Sequence, residues 1–157
     1  MSDNFKLQPI QNWLKKNNWF FYDHQLETLN QSMNGYDILL IAPTGGGKTL
    51  AGFLPSLHDL INNNSPENKL HTLYISPLKA LTIDVHRNLT NPIEDQNLDI
   101  RVETRTGDTS SYKKNRQKNV PPHMLMTTPE SLALLLADIK AKEYFKSLRY
   151  LLLDEIH

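Results

Sequence analysis

The feature of the sequence that most constrains its fold is the alternation of short apolar runs with longer amphipathic or polar segments. Five apolar runs are predicted strands: residues 38–41, 73–75, 100–102, 124–126 and 150–153. Most are apolar at consecutive positions, which predicts strands buried on both faces of a parallel sheet. The segments between them contain four predicted helices: residues 48–61, 77–90, 110–118 and 129–140. This order predicts an α/β, doubly wound domain of three layers.

The residues before the first predicted strand favour two further helices. Apolar positions recur there at helical spacing, and a glycine stands where the second helix should end. The residues that carry this pattern are Ile10, Trp13 and Leu14, then Leu26, Leu29 and Met33, then Gly35. With a length of about one domain, the chain divides by this pattern into N-terminal helices over residues 1–36 and the α/β domain over residues 37–157.

Composition excludes several kinds of protein. Lys plus Arg equals Asp plus Glu, so no long-range field attracts nucleic acid, membranes or acidic partners, and such a partner must be met by local patches. The absence of cysteine excludes disulfides and thiolate metal sites, and the six histidines lack metal-ligand spacing. The sequence shows neither a signal peptide nor an apolar stretch long enough to span a membrane. We therefore expect a soluble, cytoplasmic protein with no membrane partner.

A glycine-rich loop follows the first predicted strand. Gly45, Gly46 and Gly47 stand directly before Lys48 and Thr49. Three adjacent glycines let backbone N–H groups point inward at a phosphate without obstruction by a Cβ, and the following helix start adds unpaired N–H groups. The Lys48 ammonium can reach the outer phosphates and the Thr49 hydroxyl can bind Mg²⁺. A plain strand-to-helix turn needs one glycine rather than three followed by Lys-Thr, so the loop predicts nucleotide binding.

Two carboxylates follow the last predicted strand. Asp154 and Glu155 come directly after the apolar run Leu151–Leu153. The carboxyl end of a buried parallel strand is the edge where ligands bind in open α/β sheets. Together with a phosphate loop, this pattern predicts that Asp154 holds Mg²⁺ and that Glu155 orients and deprotonates the attacking water.

Five motifs in this order resemble the first motor lobe of superfamily-two DExH-box helicases, in particular the large helicase-related and ligase-associated groups. The motifs are APTGGGKT (42–49), SPLKAL (76–81), RTGDTS (105–110), TTPESL (127–132) and DEIH (154–157). The resemblance covers nearly the whole chain. It implies a RecA-like P-loop NTPase fold with a mostly parallel, incomplete sheet, ATP and Mg²⁺ as cofactors, and Thr44 among the nucleotide contacts. Ala42 is ordinary in this group, whereas Lys79 stands where many relatives carry Arg.

The resemblance also assigns the segment WFFYDHQ (19–25) as the element that reads adenine. Gln25 would pair with the adenine edge, since an amide offers both a donor and an acceptor. Trp19 is the first candidate to stack on the ring and Tyr22 the second. The alternative is that these aromatic residues simply pack the N-terminal helices.

Three motifs correspond to family segments that grip the backbone of one nucleic-acid strand, with DNA favoured over RNA. The residues assigned to these contacts are Pro77, Lys79, Arg105, Gly107, Thr128 and Pro129. Ser76-Pro77 and Thr128-Pro129 also fit helix N-caps followed by proline, a role compatible with phosphate contact. The basic run 113–118 lacks interleaved aromatic residues and favours a solvated helix face.

The resemblance further implies a second lobe that supplies arginines to the γ-phosphate, and no such lobe follows DEIH in this sequence. We therefore expect a truncated first lobe of an ATP-dependent helicase, inactive alone, whose parent acts with DNA-repair partners. Two alternatives stay open: a P-loop enzyme of another class, and a non-catalytic module that binds nucleotide or nucleic acid.

Overall fold

The computed structural model describes residues 7–43, 45–63 and 68–155. Its helices are α1 (Gln8–Lys16), α2 (Asp23–Met33), α3 (Lys48–Asn62), α4 (Lys79–Asp95), α5 (Ser111–Asn119), α6 (Pro129–Leu136) and α7 (Ala141–Tyr144). Its strands are β1 (Thr72–Ile75), β2 (Val102–Arg105), β3 (Met124–Thr127) and β4 (Tyr150–Leu153). No helix within these ranges has the length and apolarity needed to cross a membrane.

The chain forms two compact units. The first contains the described residues up to 63 together with Pro92–Leu98, and the second contains 68–91 and 99–155. Helix α4 contributes to both, because the division falls at Pro92.

The first unit contains the predicted N-terminal helices and the helix after the glycine loop. Helix α2 packs against α3. Helix α2 ends as predicted: Gly35 has a φ of +85°, and Tyr36 N–H donates to Gln31 O across 3.2 Å, the pattern of a Schellman cap. The fully buried apolar side chains of this unit include Leu7, Ile10, Leu29, Ala51, Phe53, Leu54 and Leu57.

The second unit is built on a four-stranded, all-parallel sheet in the order β2-β3-β1-β4. The predicted α/β fold with a parallel sheet is confirmed. The central strands β1 and β3 are buried almost throughout, as their apolar sequences require. Helices α6 and α7 contribute to a core with β1 and β3, formed by Leu70, Leu73, Leu125, Leu135 and Tyr144.

The predicted strand at 38–41 is wrong. These residues have no regular structure, and Leu39 and Ile41 are exposed. An apolar run becomes a strand only where a neighbouring strand accepts its backbone hydrogen bonds, and no described strand pairs with it. The prediction that 150–153 is buried is also wrong in part, because β4 is an outer strand and exposes Leu151 and Leu153.

The predicted helix at 129–140 is shorter than expected. Helix α6 ends at Leu136, and the Asp138 carboxylate accepts a hydrogen bond from the Lys140 N–H at 2.9 Å in the following turn. Leu136 and Ile139, apolar residues of the predicted helix, are both exposed.

Candidate functional site

The glycine loop leads directly into α3 in the first unit. Gly47 is the N-cap residue of this helix and has a φ of +71°, in the left-handed region that glycine adopts without strain. Since glycine has no side chain, the N-cap residue cannot itself bond the N–H groups of the first turn, which stay available to an anion. Lys48 and Thr49 are the first two residues of α3 and are half-buried. Thr44 lies outside the described residues.

The middle glycine corrects one part of the sequence prediction. The three glycine N–H groups were expected to point together at a phosphate, but the Gly46 N–H donates to the Pro43 carbonyl at 3.0 Å. The reason is a tight turn, in which the chain folds back so closely that a Cβ at Gly46 would lie 2.9 Å from the same carbonyl oxygen. Gly46 is therefore required by space, and its N–H is used within the loop. Gly45 is required by its backbone, with a φ of +80°.

The side chain of Gln25 connects this loop to the beginning of α2 by hydrogen bonds. Its Nε2 donates to the Gly47 carbonyl at 3.1 Å, and its Oε1 accepts from the Tyr22 N–H at 2.9 Å. A Cβ at Gly47 would lie 2.5 Å from Gln25 Nε2 and 3.2 Å from the Tyr22 ring, so the space fits glycine alone. Gln25 therefore connects the last glycine of the loop to the segment predicted for adenine.

The two candidate stacking residues lie in different surroundings. The Tyr22 ring lies beside Gly47 and stacks on His24, with ring centroids 5.5 Å apart. The Trp19 ring packs edge-on against Trp13, with centroids 5.4 Å apart. Both rings are half-exposed. The position beside the loop favours Tyr22 over Trp19.

The carboxyl ends of all four strands align at one edge of the sheet in the second unit. Ile75, the last residue of β1, is paired with Thr127 of β3 and with Leu153 of β4, and Thr127 is paired with Arg105 of β2. The motifs SPLKAL, RTGDTS, TTPESL and DEIH each begin at or directly after these strand ends. The register therefore brings four of the five motifs to a single edge, where ligands bind in open α/β sheets.

The Asp154 carboxylate is held at both oxygens. Its Oδ2 accepts a hydrogen bond from the hydroxyl of Tyr74 at 2.7 Å, and its Oδ1 accepts the backbone N–H of Glu155 at 3.0 Å. Burial and the neighbouring Asp154 carboxylate raise the pKa of Tyr74 well above its usual value, so its hydroxyl stays protonated. Glu155 is exposed and has a φ of +55°, a strained backbone for a non-glycine residue.

The sequence analysis missed Tyr74. A tyrosine in an otherwise aliphatic strand, Leu73-Tyr74-Ile75, was a usable signal, because a buried hydroxyl requires a hydrogen-bond partner. The partner could not be identified from the sequence, since Asp154 lies 80 positions further along the chain.

An exposed basic group lies at the RTGDTS loop. Lys79 Nζ forms an ion pair with Asp108 at 3.0 Å and lies next to Gly107, where a Cβ would be 3.7 Å away. Lys114 Nζ donates to the Gly107 carbonyl at 3.0 Å. The loop is braced internally by the Thr109 hydroxyl, which accepts the Thr106 N–H at 2.9 Å. Two lysines and an open glycine backbone therefore share one exposed loop.

The two predicted caps differ. Thr128 is the N-cap of α6, its hydroxyl accepts the Ser131 N–H, and Pro129 begins the helix, so this prediction is confirmed. Ser76 does not cap α4, which begins at Lys79; its hydroxyl accepts the Leu78 N–H at 3.4 Å within the approach to the helix. Pro77 and Pro129 are both exposed.

Arg105 points into the protein. Its side chain is buried, with 5% exposure for the residue, and Nη1 donates to Lys114 O at 2.9 Å and to Gln117 Oε1 at 3.4 Å. Burial lowers the pKa of this guanidinium. The Arg105 side chain therefore does not face outward to contact a nucleic-acid backbone, as the sequence predicted. Its guanidinium instead connects the end of β2 to α5.

The basic run 113–118 is not a solvated face throughout. Gln117 is fully buried and donates to Glu103 Oε2 at 2.9 Å, and Arg116 pairs with the same oxygen at 2.6 Å. Burial acts to raise the pKa of Glu103, but the hydrogen bonds from Gln117 and Arg116 outweigh it and hold the pKa below its usual value. The acidic residue in the middle of β2 was the available signal for this pairing.

The oxygen donors present are of the type that Mg²⁺ prefers. Thr49 in the first unit offers a hydroxyl and Asp154 in the second a carboxylate. Within the described ranges, no three acidic or histidine side chains gather in a way that could hold a metal. Mg²⁺ is usually held by one or two carboxylates, waters and substrate phosphates rather than by an all-protein cage, so each of these donors, taken by itself, is of a kind that a nucleotide-bound Mg²⁺ accepts.

Comparison with known proteins gives consistent matches. The ATP-dependent helicase Lhr-Core of Methanocaldococcus jannaschii is 37% identical, and the match covers 96% of this chain and 19% of the relative. The structure of Mycobacterium smegmatis helicase Lhr bound to ssDNA and AMP-PNP has a TM-score of 0.83 and 36% identity, over 99% of this chain and 21% of that one. The crystal structure of the helicase MrfA has a TM-score of 0.85 and 29% identity, and the match covers 100% of this chain and 24% of that one.

The chain thus spans about a fifth of the length of these relatives. The model of the DEAD/DEAH box helicase family matches residues 22–157, from Tyr22 within the WFFYDHQ segment to the end of DEIH. This stretch contains the glycine loop and all four motifs at the sheet edge, and the chain belongs to the DEAD/DEAH box helicase family.

Proposed function

We propose that this chain is the ATP-binding first motor lobe of an ATP-dependent helicase that acts on single-stranded nucleic acid. The observation that carries the proposal is the glycine cradle at the start of α3, which Gln25 closes. The names of the relatives support it, because Lhr-Core is named an ATP-dependent helicase and the Mycobacterium smegmatis Lhr structure holds ssDNA and AMP-PNP. The family match leaves a P-loop enzyme of another class without support.

The phosphates of ATP are assigned to the loop and to the first turn of α3. Thr44 and the N–H groups of Gly45 and Gly47 contact the phosphate chain, and the Lys48 ammonium neutralises its outer charge. Gly46 permits the close turn, and its N–H joins the phosphate contacts only by exchanging its bond to the Pro43 carbonyl for one to the ligand.

The metal and the attacking water are assigned to three further residues. Bound Mg²⁺ would supply charge neutralisation at the phosphates, and Thr49 and Asp154 would hold it. Glu155 orients the attacking water and accepts its proton.

The adenine base is assigned to Gln25 and a neighbouring ring. An amide has two N–H groups and two acceptor lone pairs, and the bonds to Gly47 and Tyr22 use one of each. The remaining N–H and lone pair match the acceptor and donor of the adenine edge. Tyr22, which lies beside Gly47, is the proposed stacking residue in preference to Trp19.

The nucleic-acid strand is assigned to the loops at the carboxyl edge of the sheet. Lys79 supplies charge, the backbone at Gly107 allows close approach, and the turns at Pro77 and at Thr128-Pro129 present backbone groups. Arg105 supports this surface from inside rather than contacting the strand. Single-stranded DNA is favoured over RNA, in line with the ssDNA in the Lhr structure.

The chain is proposed to act within a longer helicase, because it spans only about a fifth of its relatives. A second motor lobe would supply the arginines that stabilise transition-state charge, an effect worth about 10³ to 10⁵ in rate. DNA-repair partners and a cytoplasmic location belong to the same proposal.

The test uses the longer protein that carries this chain, with ATP hydrolysis measured with and without single-stranded DNA. DNA should stimulate hydrolysis, and Glu155→Gln should keep nucleotide bound while lowering kcat by at least about 100-fold, the lower end of general-base effects. Glu143→Gln, which changes an exposed acid on α7, is the matched control and should leave kcat unchanged. A near-normal kcat in Glu155→Gln would refute the assignment of the base.

A further inference from the structure

The buried hydroxyl of Tyr74 contacts one of the two carboxylates of DEIH. The residue is 3% exposed in β1, and its hydroxyl lies 2.7 Å from Asp154 Oδ2. The ionised carboxylate can only accept, so the tyrosine donates. A hydrogen bond to a charged group is shorter and about twice as strong as one between neutral groups, which makes Tyr74 a firm constraint on the rotation of the carboxylate.

The backbone of Asp154 is fixed as well. Its N–H donates to Ile75 O at 3.0 Å, which continues the β1–β4 ladder one residue beyond the strand, and its Oδ1 accepts from Glu155 N–H. A carboxylate has about four lone-pair positions, and these contacts use two. Each carboxylate oxygen therefore keeps one lone-pair position that these contacts do not use. Tyr74 and the backbone set the orientation of the carboxylate before any ligand binds.

A second hydroxyl from the SPLKAL segment acts on Tyr74. Ser76 is fully buried two residues further along the chain, and its hydroxyl acts to lower the pKa of Tyr74, against the larger effects of burial and of Asp154. The parallel pairing of β1 and β4 thus brings the beginnings of SPLKAL and DEIH side by side at the sheet edge.

We propose that Tyr74 is a positioning residue for Mg²⁺-dependent nucleotide binding: its hydroxyl holds the Asp154 carboxylate in the orientation that the metal requires. The inference rests on the proposed function, which assigns Asp154 to Mg²⁺. Loss of a hydrogen bond to a metal-binding carboxylate lowers metal affinity by about 10-fold to 100-fold in characterised sites. Tyr74 contacts neither the nucleotide nor the water in this account.

The test compares Tyr74→Phe with wild type in calorimetric titrations of the chain with AMP-PNP, once with excess Mg²⁺ and once with EDTA. The ratio of the two dissociation constants measures how much Mg²⁺ contributes to binding. Tyr74→Phe should reduce this ratio by about 10-fold or more and leave the affinity in EDTA unchanged. A purely structural role for the hydroxyl would alter thermal stability and leave the ratio as in wild type, and that result would overturn the proposal.

The matched control is Tyr144→Phe. Tyr144 is also a buried tyrosine of the second unit, and its hydroxyl has no hydrogen-bond partner among the described residues. This variant should keep the wild-type ratio, and an equal fall in both variants would contradict a specific role for Tyr74.

If Tyr74→Phe does not fold, as judged by its thermal melt, the titrations of wild type and variant are repeated in sucrose, which stabilises folded proteins. The ratio for Tyr74→Phe should then fall about 10-fold or more, and an unchanged ratio would overturn the proposal. The proposed function fails in a different way, by the absence of AMP-PNP binding to wild type in both buffers.

Discussion

The side-chain amide of Gln25 donates to the backbone carbonyl of Gly47 at 3.1 Å, across 22 positions of sequence. The same amide accepts from Tyr22, so one side chain joins the entry to α2 with the residue that begins α3. The segment assigned to adenine and the loop assigned to phosphate are therefore one hydrogen-bonded structure before any nucleotide binds. A change on either side of this bond should affect the other.

Gly47→Ala is predicted to destabilise the chain by about 2 to 3 kcal/mol. About 1 to 2 kcal/mol comes from an L-residue at a φ of +71°, and the rest from displacing the Gln25 amide that a Cβ would meet at 2.5 Å. Gly35→Ala is the matched control, because Gly35 has a φ of +85° but no described atom within 4 Å of a Cβ. Urea unfolding should show the larger loss at Gly47, and equal losses would mean that the contact with Gln25 contributes nothing.

Gln25→Ala is predicted to weaken binding of ATP and to reduce the preference for ATP over GTP. A site that pairs with a polar edge discriminates because the wrong base leaves its groups unpaired. Competition titrations with the two nucleotides measure this preference. Gln31→Ala, which removes an amide with an exposed contact to Glu27 from the same helix, serves as the control. An ATP preference that survives Gln25→Ala would exclude Gln25 as the residue that reads the base.

Arg105→Leu and Lys79→Ala are predicted to affect different properties. Arg105→Leu should lower the stability of the fold, and Lys79→Ala should weaken binding to DNA. Arg105→Leu removes a buried charged donor from Lys114 O and Gln117 and should cost about 2 kcal/mol or more of stability. Lys79→Ala removes a half-exposed ion pair and should change stability by less than about 0.5 kcal/mol. Lys79→Ala should nevertheless weaken binding to a single-stranded DNA and lower the salt-dependence slope by about 1.

The two measurements are urea unfolding and fluorescence anisotropy at several salt concentrations. If Arg105→Leu left stability unchanged but removed DNA binding, the internal role assigned to Arg105 would be wrong. An unchanged salt slope in Lys79→Ala would remove that lysine from the proposed interface.

Glu103→Gln is predicted to reveal a pH-dependent part of the stability. The folded-state pKa of Glu103 lies below its value of 4.5 in the unfolded chain, so its contribution is fully present above that pH and is lost as the pH falls through the folded pKa. At neutral pH the variant should lose about 1 to 2 kcal/mol, since Gln117 and Arg116 lose a charged acceptor.

This difference between wild type and variant should shrink as the pH falls below 4.5 and Glu103 becomes protonated. Glu143→Gln is the control, because Glu143 is exposed and its nearest ion-pair distance, to Lys146, is 3.9 Å. A difference that stays constant from neutral to acid pH would show that the Glu103 charge does not stabilise the fold.

Local sequence patterns predicted the elements whose stability comes from local rules. Consecutive apolar residues identified β1 and β3, because the central strands of a parallel sheet are buried on both faces. Thr128 followed by Pro129 identified the start of α6, because a hydroxyl cap and a fixed proline φ act within one helical turn. The positions of the motifs at the strand ends followed from the same pattern.

The sequence predicted the glycine loop, but it did not predict all of the hydrogen bonds within the loop. Its composition indicates where side chains are excluded, and the contacts of a Cβ at Gly46 and at Gly47 agree with that. Composition does not indicate which N–H groups the loop uses for itself, and the Gly46 N–H is taken by the Pro43 carbonyl.

Features that depend on distant residues were not predictable in this way. Residues 38–41 have the composition of a strand, but pairing decides whether a strand forms. The inward orientation of Arg105 depends on Gln117 from another element, and the bond between Tyr74 and Asp154 joins residues 80 positions apart.

Binding of ATP at the glycine loop is tested by a titration of the 157-residue chain with a fluorescent ATP analogue and Mg²⁺, in wild type and in Lys48→Ala. Lys142→Ala, on an exposed part of α7, is the control for loss of one positive charge. We predict saturable binding by wild type and Lys142→Ala, competed by unlabelled ATP, and its loss in Lys48→Ala. Equal affinity in all three proteins would contradict the assignment of the glycine loop to phosphate, and with it the proposed ATP-binding motor lobe.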